Sequence, residues 1–148
     1  TLIGVYSLTD CGYRHEEKEE FYTVLQEVIT KEQKFAKDNK MELLVGGDFN
    51  CRLKRCDENS SVVGPCASGI RTSENGELLV DMAKSCGLRV ENTCFRKKIK
   101  QRTSWTHPRT KRRELLDLFL SEKHRCNRMT NIRSYPSFDC GSTTTYWL

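Results

Sequence analysis

The chain has 148 residues, with 25 Lys and Arg against 20 Asp and Glu and a formal net charge of +5. That length suits one domain able to bury roughly two thirds of its surface. With 36% hydrophobic and 30% charged residues, it is short of core formers but not disordered in composition. No apolar run approaches the roughly 18 residues of a membrane span, so a single-pass membrane protein is excluded, as are a collagen and a coiled coil.

In chain order, Leu2 to Tyr6 reads as a short strand, followed by a loop from Ser7 to Arg14. Residues 16–36 carry a helical period in which Phe21, Leu25, Val28, Ile29 and Phe35 share one face. Acids lie toward its N-terminus and Lys31, Lys34 and Lys37 toward its C-terminus, which suits the helix dipole. Met41 to Val45 reads as a strand stopped by Gly46-Gly47. Residues 57–72 are loop-rich. A second helix is expected from Glu74 to Cys86, with Leu78, Leu79, Met82 and Ala83 inward and Gly87 as a left-handed stop. Strands follow at Leu88–Asn92, Thr103–Thr106 and Leu115–Leu120, the last two separated by His107-Pro108-Arg109 and a basic tip. Strands alternating with two helices, then strands in succession, favour a mixed α/β layered domain over residues 1–148.

The eight cysteines have no knuckle or thioredoxin-type spacing and read as scattered reduced thiols of an intracellular protein, nuclear or cytoplasmic. The N-terminus has neither a basic n-region nor a long apolar h-region, so it does not read as a signal peptide and secretion is not expected. It reads as the interior of a strand, and the chain is expected to begin partway through a fold.

Four places carry candidate chemistry. In Gly46-Gly47-Asp48-Phe49-Asn50, strand alternation sends Asp48 and Asn50 to one side and Phe49 to the core. A carboxylate and an amide at a strand end suit phosphate-ester hydrolysis, and equally an Asp/Asn turn. Asp117, alone in an apolar run, must be paired if buried, or lie at a rim. Tyr6 ends the first strand, either as a core tyrosine or as a phosphate contact. From Arg96 to Arg113 there are nine basic residues and no acid; Arg102, Trp105, Lys111, Arg112 and Arg113 suit a phosphate backbone with a stacked base, or a solvated hairpin in which Trp105 is a core residue.

Taken together, Val5-Tyr6, Leu44 to Asn50, Asn75-Gly76-Glu77-Leu78-Leu79-Val80-Asp81, Thr103 to Pro108 and Leu116 to Leu120 resemble the endonuclease/exonuclease/phosphatase family. The likeness is to its retrotransposon-derived branch, the endonuclease domains of non-LTR elements and the craniofacial-development-protein-like proteins. It implies a partial four-layered α/β sandwich with its N-terminal half missing, and Mg²⁺-dependent cleavage of DNA. By this resemblance Asp48 orients the attacking water, Asn50 and Tyr6 contact the phosphate, Asp117 orients a catalytic histidine, and the basic hairpin lies against DNA.

The departures are specific. Ser7-Leu8 stands where the family has Ala-Pro, and Gly141 to Trp147 has threonines where the family has Ser-Asp-His. Neither His107 nor His124 matches the catalytic histidine, and the family's Asn and metal-binding Glu have no counterpart. The primary Mg²⁺ ligand and the imidazole are thus absent, and no turnover is expected of this chain alone. The alternative is a nucleic-acid-binding or protein-interaction module that keeps the basic face. With half a sandwich, apolar strand faces are expected to lack a partner and the domain to be marginal or aggregation-prone.

Overall fold

The computed structural model describes residues 1–135, in a mixed α/β arrangement. In chain order the elements are β1 (Leu2–Tyr6), α1 (His15–Asp38), β2 (Leu44–Asp48), α2 (Glu74–Ser85), β3 (Leu88–Val90), α3 (Ile99–Arg102), β4 (Trp105–Thr106), β5 (Arg113–Glu114) and β6 (Asp117–Glu122). Two short 3₁₀ turns follow β3 and β6. The main sheet has the order β1-β2-β6-β3, with β1 parallel to β2 and the other neighbours antiparallel. β4 and β5 form a separate two-stranded hairpin.

Alternation along the strands gives the sheet two unlike faces. Val45, Phe49, Leu118, Leu120, Leu88 and Val90 point to one of them and are buried with Tyr22, Leu25 and Ile29 of α1 and Leu79, Val80, Met82 and Ala83 of α2. Leu2, Tyr6, Asp48, Asp117 and Phe119 belong to the opposite face, where Leu2 is 70% and Tyr6 77% exposed. The expected uncovered apolar strand face is present at β1.

α1 buries a different stripe from the expected one. Lys18, Tyr22, Leu25, Ile29 and Ala36 face inward, while Val28 and Phe35 are exposed. The five apolar residues that periodicity groups together straddle two adjacent stripes, and packing against the sheet selects only Leu25 and Ile29 for full burial. Lys18 is inward because its ammonium donates to the Asp10 carbonyl and pairs with Glu74 at the start of α2. The backbone N–H of Arg14 donates to Glu17 and so closes the start of α1.

β2 also differs, running through Gly46-Gly47 rather than ending at them. A side chain at Gly47, where φ is +150°, would place its Cβ 1.9 Å from the Val5 carbonyl oxygen of β1. The glycine therefore permits close strand approach rather than stopping the strand. The expected strand at Leu115–Leu120 is displaced: β6 begins only at Asp117 and runs to Glu122, while Arg113–Glu114 before it pairs with β4. The expected strand at Leu88–Asn92 stops at Val90 and gives way to a 3₁₀ turn. Gly87 does follow α2 in the left-handed conformation, with φ 64°.

Candidate functional site

The sheet register places three of the sequence candidates in one line. Tyr6 of β1 is opposite Asp48 of β2, and Asp48 is opposite Asp117 of β6. Directly opposed residues share a face, so the phenol and the two carboxylates project side by side from the open face at one end of the sheet. Asp48 and Asp117 are both part-exposed. The two carboxylates thus stand together at a place where solvent and ligands have access.

Asn50 leaves the strand in a left-handed conformation, with φ 45°. Its N–H donates to Asp48 Oδ1 at 2.9 Å, and its side-chain amide donates to the Ser7 carbonyl at 2.9 Å. The expected alternation therefore holds to the buried Phe49 and ends there. The Asp/Asn turn is formed, and it ties the loop after β1 to the end of β2. Buried Cys51 follows, its thiol pushed well above the ordinary range by burial first and by nearby carboxylates second. Such a thiol is inert as a nucleophile.

Several polar residues that sequence reasoning did not single out hold this end of the sheet. Asn75, fully buried at the start of α2, donates to the Leu8 carbonyl at 2.6 Å and the Asn50 carbonyl at 3.3 Å. Its backbone N–H donates to Asp10. Asn92 extends the ladder where β3 stops: its Oδ1 accepts the Phe119 N–H at 2.6 Å, across the strand from the row. The Ser104 hydroxyl accepts the N–H groups of both Leu116 and Asp117 at 3.0 Å. Arg52 Nε donates to Glu114 at 2.6 Å, and a second nitrogen lies 3.4 Å from Asp10. Asn75 and Ser104 lie in segments that the sequence marks, but nothing local shows what their side chains hold.

The basic segment is divided. Lys97 to Arg102 lie before the hairpin and on α3, and only Arg109 to Arg113 belong to the hairpin itself. Arg102 donates to the Cys66 carbonyl at 3.2 Å, and Arg112 pairs with Glu114 at 3.1 Å. Arg109, Lys111 and Arg113 are exposed and have no acidic partner among the described residues. Lys111 sits at the tip with φ 56°, and His107 Nδ1 accepts the N–H groups of Arg109 and Thr110. Trp105 is half-buried, outside the core, and meets His107 edge-on at 5.4 Å between ring centroids. Because Ser104 anchors the hairpin base to Leu116 and Asp117, the basic tip leaves the same sheet end as the Tyr6–Asp48–Asp117 row.

Among the described residues Cys11, Cys51, Cys56, Cys66 and Cys86 are free thiols. Among the described residues no three Asp, Glu, His or Cys side chains gather as a metal-holding group. The segment 141–147, compared above with Ser-Asp-His, lies outside the described residues. Among the described residues no helix is long and apolar enough to cross a membrane. No protein-family model matches the chain, and no curated protein matches it.

Proposed function

We propose that these residues form the later part of an endonuclease/exonuclease/phosphatase-type domain of retrotransposon origin, a partial four-layered sandwich, and that by themselves they bind DNA without cleaving it. The observation that carries the reading is the alignment of Tyr6, Asp48 and Asp117 in one row, with a basic hairpin anchored by Ser104 at the same sheet end. Arg109, Lys111 and Arg113 supply attraction to the phosphate backbone. The Tyr6 hydroxyl and Trp105 supply a hydrogen-bond donor and a stacking face. Asp48 and Asp117 are placed to orient water or a protonated group, but no imidazole in the sequence matches the partner that Asp117 would serve. In such a domain Mg²⁺ would supply charge neutralisation at the phosphate.

Two measurements test the reading. Binding of duplex DNA is expected to weaken steeply with salt. Lys111→Glu with Arg113→Glu is expected to flatten the salt slope by about one for each phosphate left without its cation. Arg112 is left intact because it pairs with Glu114. Plasmid incubated with the chain and Mg²⁺ is expected to remain supercoiled. Nicking that disappears in Asp48→Ala would overturn the non-cleaving part of the proposal, and no DNA binding at low salt would overturn the rest.

A further inference from the structure

The basic hairpin is held to the rest of the chain at two places. We infer that Arg52 and Glu114, which make the second of them, are positioning residues. Their ion pair fixes the angle between the basic tip and the Tyr6–Asp48–Asp117 row, and so decides how tightly tip and row together grip a phosphate backbone. The inference rests on the DNA-binding reading above.

The first attachment is Ser104. Its N–H donates to the Glu114 carbonyl at 2.9 Å, and its hydroxyl accepts from Leu116 and Asp117. These bonds lie within residues 104–117. They fix where the hairpin starts, and the hairpin can tilt about them. β4 and β5 are two residues each and, among the elements, pack chiefly against each other. A cleft of about 270 Å³ lies at the hairpin base, with Leu53, Ile70, Ile99 and Leu115 among its walls. Ile70 and Ile99 are themselves largely exposed. Apolar packing on that side therefore does not brace the hairpin.

The brace is the Glu114 carboxylate. Glu114 is only 8% exposed, and both of its oxygens are engaged. Oε2 accepts from Arg52 Nε at 2.6 Å, and Oε1 pairs with Arg112 Nε at 3.1 Å. A carboxylate removed from water to this degree needs its cations, so the contact is held. Arg112 belongs to the hairpin and moves with it. Arg52 does not. Its N–H donates to Ser73 Oγ at 3.0 Å, and its carbonyl accepts the Ser73 N–H at 3.1 Å, just before α2. A second guanidinium nitrogen lies 3.4 Å from Asp10, whose other carboxylate oxygen accepts the Asn75 N–H. The planar fork thus faces one acid of the hairpin and one of the loop after β1, and its rigid geometry carries direction as well as charge. Arg52 also stands two residues beyond Asn50, whose N–H is bound to Asp48. One short run of chain carries both the row and the brace.

Charge and position predict opposite signs for Glu114→Gln. Removing a carboxylate beside the basic tip adds local positive charge, so attraction alone tightens duplex binding. Losing the brace weakens it. The expected result is an affinity lower by about threefold or more per folded molecule, with the far-UV circular dichroism spectrum unchanged. Arg52→Gln alone weakens binding on either account, so the double variant decides. Charge alone returns it to wild-type affinity, whereas one shared contact leaves it as weak as the weaker single variant. The hairpin angle is read without DNA from residual dipolar couplings of the Trp105, Thr106, Arg113 and Glu114 amides against those of β2 and β6, and is expected to change in both single variants. Tighter binding by Glu114→Gln, a double variant restored to wild-type affinity, or couplings unchanged in both single variants would overturn the inference. No binding by the wild type at low salt would overturn the DNA-binding reading and the affinity part with it, and the couplings still decide the brace.

Discussion

On the helix-covered face of the sheet Val45, Phe49, Leu120 and Val90 are fully buried, and they share one cluster with both long helices. On the open face Tyr6 is mostly exposed, and Asp48 stands against Asp117. The covered face uses side chains whose only contribution is volume and apolar area. The open face carries two opposed carboxylates and groups able to meet a phosphate. Substitutions on the covered face should therefore change stability and leave DNA affinity per folded molecule intact, and those on the open face should do the reverse.

The largest effect should come from the covered face. Leu120→Ala removes a fully buried side chain at the centre of the sheet and is expected to cost about 2–5 kcal/mol. Since domains have only about 5–15 kcal/mol in hand, this variant should be close to unfolding. The denaturant midpoint measures it, and a loss below about 1 kcal/mol would mean that the two faces are not distinct in this way.

Next is Asn75→Ala, which lies between the two faces because it ties α2 to the loop leading from the row. Losing its hydrogen bonds leaves the Leu8 and Asn50 carbonyls without their donor and is expected to cost about 1–3 kcal/mol. It should also lower DNA affinity, since the Asn50 turn is no longer held. A stability loss with no change in affinity would show that the row does not depend on this support.

Asp48→Asn probes the open face alone. The amide oxygen can still accept the Asn50 N–H, so the thermal midpoint should move little. Removing one of two adjacent negative charges is expected to tighten DNA binding in metal-free buffer by a few-fold, an effect that salt should diminish. Weaker binding would mean that Asp48 does not face the phosphates.

Legibility in the sequence divides along similar lines. Both long helices, the strand β1, the turn after Asp48 and the inward Phe49 are set by local pattern and can be read from it. The buried stripe of α1 cannot, because residues 21–35 hold two apolar stripes and only the sheet decides between them. Gly46-Gly47 reads as a stop because glycine usually interrupts strands, whereas here Val5 approaches too closely for any side chain at Gly47. Tyr6, Asp48 and Asp117 are each visible as candidates, but their alignment depends on pairing of strands far apart in sequence. Asn75 lies 67 residues from the carbonyl it holds, and no local signal marks that bond.

The smallest effect concerns the helix layer, where His15 lies between Glu74 at 2.6 Å and Glu19 at 3.2 Å. The hydrogen bond to Glu74, and then the charge of Glu19, raise the His15 pKa above its ordinary 6.5. The bonds from Lys18 and then His15 lower that of Glu74 below 4.5. The raised histidine contributes stability that is complete below pH 6.5 and is lost as pH rises through its folded pKa. The lowered carboxylate contributes stability that is complete above pH 4.5 and is lost as pH falls through its own. The α1–α2 contact is therefore strongest between about pH 4.5 and 6.5. The thermal midpoint of the wild type should drop slightly more than that of His15→Gln between pH 6 and pH 8, with no difference in DNA-binding salt slope at fixed pH. Equal pH profiles for the two proteins would remove His15 from the contact. A changed salt slope would mean that the two faces are coupled rather than independent.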